Sequence, residues 1–599
     1  MMPIVAAAQS VEPIRYNLSF PAPHTHYVEV SATVPTAGQS EIQLMLAVWT
    51  PGSYLVREFA RHIENVTAQT NKGQTLEIHK VSKNRWRVST GKTSHVVVKY
   101  RVYGREMSVR TNWIETSFAL LNGAPTFMTL ADGKPRPHEV AIELANGWTQ
   151  AMTGLEEIPG VVHQFYAQDF DTLVDSPILL GNPTVHSFIV DGKPHYLVNE
   201  GEVDLFDGAK AARDLELLVQ EHFQLWGFLP YEKYLFLNVI TESRGGLEHK
   251  NSSVLMTSRW ATRTRKSYLA WLELASHEIF HAWNVKRLRP VELGPFNYER
   301  EVFTKSLWVA EGFTSYYDAL LVHRAGLSTR EEYLQTLSNQ IEALQTTPGR
   351  LIQSVEMASQ DAWIKYYRPD ENSSNTSISY YIKGAVIAFV LDAKIRLATK
   401  GNRSLDDVLR AAYEQYADGS GYSPREFQAV VEQVANLDLS VFWNSVVEGI
   451  SEIKYDEAHE TFGLQFQPVP ELSPEAPGKS WLGVTVRNDG GNLIVTRVLR
   501  DTPAYNAGVN VDDEILAIDE FRVRTEQLNN RLEEYHPGET ISLLVARRGQ
   551  LMRHNVMLGV EPVKQWILEV APAVSEVQKE RLATWLHAVP TVSAPQETD

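Results

Sequence analysis

No cysteine occurs in the 599 residues, which excludes disulfides, thiol catalysis and cysteine-held metal. No uninterrupted apolar run of about 18 residues occurs either, so no transmembrane helix is expected. Basic charge is the scarcer sign: 56 Lys and Arg stand against 73 Asp and Glu, a formal net charge of −17. No basic stripe interrupts that balance, which argues against a nucleic-acid partner. The opening stretch MMPIVAAAQ lacks the lysine or arginine of a secretory signal. A soluble protein is expected, without membrane association and located in the cytoplasm, although a cysteine-free chain does not exclude the periplasm. Neither a G-x-S-x-G element nor a P-loop is present, which sets aside serine-hydrolase and nucleotide-hydrolysing chemistry.

What is present is ordinary globular composition, 43% hydrophobic and 22% charged, over a length that implies roughly three or four domains. From Tyr16 to about Phe170 short alternating runs such as YVEVSATV and HVVVKYRVYG are broken by Gly, Pro, Asn and Asp, the pattern of an antiparallel β-sandwich. From about Lys210 the period becomes helical, with apolar faces over 209–226, 267–284, 302–325, 329–345, 379–399 and 404–417. A β-rich island, YLFLNVITESRGGLEHKNSSVLM, precedes the second of these. The proline-rich QFQPVPELSPEAPGK reads as a linker, strands resume over 480–560, and VSEVQKERLATWLHAV reads as a final helix before a frayed tail. The expected division is 1–175 sandwich, 176–465 mainly α-helical domain, 466–479 linker, 480–562 strand-rich module, and 563–599 helix and tail.

The stretch LASHEIFHAWN places His277 and His281 four residues apart with Glu278 beside the first. On a helix, positions i and i+4 share a face, so two imidazoles can converge on one ion, with the glutamate adjacent as a base. In a chain with 18 histidines the alternative is a buried helix with hydrogen-bonded histidines. A hydrolytic zinc site needs a third protein ligand and an open position for water. Further along, SLWVAEGFTSYYDALL carries Glu311 within W-x-x-E-G.

HEIFHAWNVKRLRP followed by WVAEGFTSYY resembles the glycyl-aminopeptidase family of gluzincin metallopeptidases, relatives of the aminopeptidase N group. WTPGSYLVREFARHI (49–63) and DTLVDSPILLGN (171–182) resemble that family's N-terminal region. The resemblance implies a thermolysin-like catalytic domain with one Zn²⁺ per chain held by His277, His281 and Glu311, and Glu278 as general base. Aminopeptidase N relatives place the third ligand nineteen positions after the second histidine, which here is Arg300, a side chain that stays protonated. Glu311 is therefore taken as the ligand, with an inserted loop before it and Glu299 and Glu301 as the distant alternatives. Asp318, on the same helix, is the candidate for orienting a histidine.

The resemblance extends to substrate recognition. RGGLEHKN stands where those relatives carry G-x-M-E-N, so Gly245, Gly246, Glu248 and His249 are the expected substrate-binding residues. Glu248 meets the free α-amino group and the extended strand pairs with peptide backbone. Leu247 and His249 replace the Met and Asn of that element. SYYIKGAV resembles the Y-x-K-G-A segment, which makes Tyr381 the oxyanion donor, with Tyr380 adjacent to it. SWLGVTV together with VLRDTPAYNAGVNVDDEILAIDEFRV resembles a bacterial-type PDZ domain, whose carboxylate loop is Trp481, Leu482, Gly483 and Val484 and whose partner is a C-terminal peptide. The implied activity is a zinc aminopeptidase acting on peptides with a free N-terminus, with small first residues such as glycine and alanine. A zinc endopeptidase and a non-enzymatic PDZ peptide-binding scaffold are the alternatives, and the endopeptidase is separated from the first by peptides with blocked N-termini.

Overall fold

Alternation along the early strands is realised directly: in Tyr27–Pro35 the residues Val28, Val30, Ala32 and Val34 turn inward while their neighbours face out. The computed structural model describes residues 11–468, 478–562 and 565–587. These fall into two units, one holding the chain to Thr304 with Tyr317–Ser328 and Leu409–Ser423, the other holding Lys305–Tyr316, Thr329–Val408 and the chain from Pro424.

In the first unit an eight-stranded sheet and two four-stranded sheets share one core, to which Tyr16, Trp86, Leu121, Phe127 and Ile178 contribute. Pairing is antiparallel as expected, with one departure: Ile14–Ser19 runs parallel to His138–Glu143. Antiparallel neighbours can be joined by a hairpin, whereas these two strands come from opposite ends of the β-rich region and meet through a long crossover. A five-stranded sheet follows, made of β1 (Thr184–Val190), β2 (Lys193–Glu200), β3 (Tyr234–Ile240), β4 (Gly245–Glu248) and β5 (Ser252–Thr257) in the order β1-β2-β3-β5-β4. Strands β2, β3 and β5 are mutually parallel, and every residue of β3 is buried, as befits a central strand covered on both faces. Strand β4 lies at the edge, antiparallel to β5.

Helix α1 (Gly208–Trp226) is capped by Asp207 and stopped by Gly227 in the left-handed region. Helix α2 (Arg265–Phe280) starts at Thr264, whose hydroxyl accepts from the Ser267 amide at 3.1 Å. It is shorter than the sequence pattern implies. Amides Ala282 and Trp283 bond back three residues rather than four, and this tightening ends the α-helix at Phe280, leaving His281 at its C-cap.

In the second unit Trp308–Phe313 is wound as a π-helix and leads into α3 (Thr314–Arg324), which from Tyr317 on belongs to the first unit; the sequence implied one regular helix from 302. Helix α4 (Arg330–Gln345) carries a capping box between Thr329 and Glu332, and α5 (Tyr380–Ala398) is buried on almost every side. Leu464–Phe466 pairs with Leu568–Val570, so the chain leaves the helical layer and returns to it beside its point of exit. Between those strands lies a six-stranded sheet with its own core, including Leu493, Val495, Ile515, Leu543 and Val556. Positions 469–477 of the expected linker and the tail from 588 lie outside the described residues. Helix α6 (Glu576–Leu586) is present and packs inward: Trp585 is fully buried against Phe462 and Phe389 and donates to the Tyr316 hydroxyl at 2.7 Å. Among the described residues no helix is long and apolar enough to cross a membrane.

Among the buried imidazoles of the first unit, burial lowers three from the ordinary histidine value, His138 and His222 to about 3 and His195 to about 4. Their folded values are depressed, so they bind protons more weakly folded than unfolded. Their contribution to stability is complete above about pH 6.5 and is lost as pH falls below it. Urea unfolding of wild type and a His222→Phe variant at pH 7.5 and 5.5 measures one of the three. Wild type is expected to lose about 1.4 kcal/mol more than the variant across that interval, and equal losses would contradict the assignment.

Candidate metal centre and active site

Helix α2 ends on the two histidines. Their rings are 4.8 Å apart between centroids and nearly perpendicular. His277 Nδ1 meets the Asp318 carboxylate at 3.2 Å, and His281 Nδ1 meets the Asn284 carbonyl oxygen at 2.7 Å. A carboxylate and a carbonyl only accept, so each Nδ1 carries the proton and each lone pair is on Nε2. That is how imidazoles are fixed when they ligate a metal. Burial pushes the Asp318 carboxyl above its usual value, against the opposing pull of the His277 hydrogen bond.

Glu311 lies in the π-wound turn, seven positions before Asp318. Gly312 there faces Gly384 of α5 so closely that a Cβ on either would collide with the other's backbone. This contact explains the glycines of W-x-x-E-G and K-G-A, and it brings Tyr381 near Glu311. Burial and then the Glu311 charge push the Tyr381 phenol well above its usual value. Tyr381 is partly exposed and stacks on Tyr366 at 5.4 Å, whereas Tyr380 is fully buried. One ligand atom from each of His277, His281 and Glu311 lies within 4.8 Å of the other two. Two imidazoles and one carboxylate suit a tetrahedral zinc site that keeps a fourth position for water. The alternatives to Glu311 have other engagements: Glu299 accepts from Arg85 Nε at 2.8 Å and Asn84 Nδ2 at 2.9 Å, and Glu301 is exposed.

Glu278, the expected base, sits against the strand expected to bind substrate. Gly246 of β4 lies under the Glu278 carboxylate, where a Cβ would overlap it. Glu248 ends the same strand, 4% exposed, and offers an oxygen within 4.8 Å of the ligand atoms of Glu278 and His281. Gly245 precedes them on the strand. His249 is turned away to Asp175, with Nδ1 at 3.0 Å from its Oδ1. Asp175 also accepts from Lys286 Nζ at 2.8 Å and from the Lys250 amide at 2.9 Å. Burial alone would lower the Lys286 ammonium, but Asp175, Glu248 and Glu278 outweigh it and raise its pKa. Neither Asp175 nor Lys286 was singled out by sequence reasoning, although both stand in quoted segments, DTLVDSP and HAWNVKR. In the strand-rich module Gly483 has φ of +82° and lies against Thr502, Leu482 is buried and its carbonyl accepts from the Ala504 amide at 2.9 Å, and Trp481 is partly buried. Val484 opens an edge strand, Val484–Asp489.

The Peptidase M61 N-terminal domain matches residues 15–182, the M61 glycyl aminopeptidase family matches 270–387, and the PDZ domain matches 480–558. A crystal structure of an aminopeptidase N family protein from Idiomarina loihiensis is 30% identical, with 96% of this chain and 100% of that one covered and a TM-score of 0.88. The chain belongs to the M61 glycyl aminopeptidase family. A mutant M1 zinc metallopeptidase from Deinococcus radiodurans, bound to a Tyr-Ser-Ala substrate, is 14% identical over 74% of this chain and 95% of that one, with a TM-score of 0.48. Aminopeptidase A from Legionella pneumophila, in complex with aspartic acid, is 15% identical over 73% and 49%, with a TM-score of 0.47. No curated protein matches. This M61 peptidase is a zinc metallopeptidase of the aminopeptidase kind, with a β-rich N-terminal domain, a helical catalytic domain and a C-terminal PDZ domain.

The Asp318 hydrogen bond predicts a metal-binding defect without loss of fold. Asp318→Ala should weaken Zn²⁺ binding by about 10- to 100-fold, read by competition with a chromophoric chelator while circular dichroism stays unchanged. Wild-type affinity in the variant would refute an orienting role.

Proposed function

We propose that this M61 peptidase removes N-terminal glycine and alanine from peptides at a single Zn²⁺ held by His277, His281 and Glu311. The observation that carries the reading is the convergence of those three side chains within 4.8 Å, with both Nδ1 atoms committed elsewhere. Bound zinc supplies Lewis-acid polarisation of the first peptide carbonyl and of water. Glu278, held over Gly246, takes the proton of the attacking water and delivers it to the leaving amine. Tyr381 donates to the oxyanion as it develops. The backbone of Gly245 and Gly246, on an edge strand, pairs with the extended substrate, and Glu248 receives its α-ammonium. His249 supports that strand end through Asp175.

A preference for small first residues is supported by the space beside Glu248. The cavity there measures about 30 Å³ and is walled by Gly52, Tyr54, Lys286, Phe296 and Tyr298. The bulky rings of Tyr54, Phe296 and Tyr298 among its walls favour a short first side chain. In the PDZ domain the loop Trp481, Leu482, Gly483 and Val484 is assigned to a peptide C-terminus, supported by the edge position of Val484–Asp489.

Glycyl- and alanyl-anilides, assayed with metal analysis and with chelator, test the reading. Turnover is expected to vanish with chelator and return with Zn²⁺. Glu278→Gln should lower kcat on the order of 10³-fold while retaining the metal. N-acetylation of the substrate should abolish cleavage, and efficient cleavage of the blocked peptide would replace the aminopeptidase assignment with an endopeptidase.

A further inference from the structure

Two segments of the β-rich domain meet the substrate strand at Glu248: one lies against its carboxylate, the other holds the residues that follow it. The first is the turn Thr50-Pro51-Gly52-Ser53, closed by the Ser53 amide on the Thr50 carbonyl at 3.1 Å. Pro51 presets the second position of this turn and Gly52, at φ +86°, supplies the left-handed third. Its α-carbon faces both Glu248 carboxylate oxygens so closely that any Cβ would overlap them. The turn therefore fixes where that carboxylate can be.

The second segment ends at Asp175, which follows the short helix Phe170–Val174. Its carboxylate accepts from His249 Nδ1 at 3.0 Å, the Lys250 amide at 2.9 Å and Lys286 Nζ at 2.8 Å. Two of these donors are the residues directly after Glu248, and the third lies five positions past His281. One partly buried acid thus pins the end of the substrate strand and the loop that follows the second histidine. Burial alone would raise the Asp175 carboxyl, but Lys286 and His249 hold it well below the usual range, so it stays ionised. Glu248 needs such support, because its Oε1 is buried and has no hydrogen-bond partner among the described residues.

We propose that Gly52 and Asp175 are positioning residues for Glu248, so that the β-rich domain sets the exopeptidase register of the active site. This rests on the reading of Glu248 as the α-ammonium ligand. A purely structural staple would weaken all ligands alike, whereas a positioning role is confined to those carrying an amine.

The comparison that separates the two uses alanine hydroxamate and propionohydroxamate, which differ only in the α-amine, as inhibitors of the zinc-loaded full-length enzyme. Wild type should favour the amine-bearing inhibitor by about 10- to 100-fold, the range of a hydrogen bond between charged groups. Glu248→Gln should abolish that ratio. Asp175→Asn and Gly52→Ala should each lower it toward the Glu248→Gln value, with metal content unchanged. Should Asp175→Asn fail to fold, Gly52→Ala carries the same comparison. Wild-type ratios in both variants, beside a collapsed ratio in Glu248→Gln, would overturn the proposal. An unchanged ratio in Glu248→Gln itself would instead overturn the α-ammonium reading beneath it.

Discussion

Close approach between carboxylates and backbone is the constraint on which this active site depends. Glu278 lies over Gly246, Glu248 lies against Gly52, and the turn bearing Glu311 is seated on α5 through Gly312 and Gly384. A hydrolytic site of this kind crowds negative groups around one cation, and separate side chains would push them apart by volume as well as by charge. A missing side chain lets each carboxylate settle against backbone at a defined distance, with no rotamer to absorb the strain. Glycines at these three contacts thus leave the room that the acids and the turn bearing Glu311 occupy.

Charge is distributed on the same plan. Lys286 is a buried ammonium among Asp175, Glu248 and Glu278, and their combined attraction outweighs the burial that would otherwise discharge it. Its contact is with Asp175, at 2.8 Å, so the acid that only supports the site is the one neutralised directly. Glu248 and Glu278 act on it at longer range. Replacing Asp175 would therefore do more than loosen a strand, because it would release a cation among the remaining carboxylates.

The parts of this site that the sequence displays are those carried by local spacing. His277 and His281 fall on one helical face, and W-x-x-E-G and Y-x-K-G-A mark the helices of Glu311 and Tyr381. The π-winding of Trp308–Phe313 was not legible, since apolar periodicity over six residues cannot tell one extra residue per turn from a regular helix. Nor was the early stop of α2, which is a matter of hydrogen-bond register rather than composition. Asp175 lies 111 residues from Lys286, and nothing in either stretch announces the other. Long-range ion pairs leave no periodic trace, and parallel pairing such as that of Ile14–Ser19 with His138–Glu143 is hidden for the same reason.

The PDZ domain has a place in this fold that a linker followed by a module would not suggest. The strands that bracket it, Leu464–Phe466 and Leu568–Val570, are hydrogen-bonded to each other. The chain then continues to α6, whose Trp585 stacks 4.2 Å from Phe462 and fills a slot also lined by Phe389. An indole buried to this degree contributes several kcal/mol of core packing, so the helical layer is completed only by residues that follow the PDZ domain in sequence. The PDZ domain is accordingly an insertion, tethered at both ends to the layer that carries Tyr381. Asn375, just upstream of α5, reinforces the tether: its side chain donates to the Val498 carbonyl and accepts from the Arg500 amide. A peptide taken up along Val484–Asp489 would thus load a strand hydrogen-bonded to Asn492–Val498, the same strand that Asn375 holds at its far end.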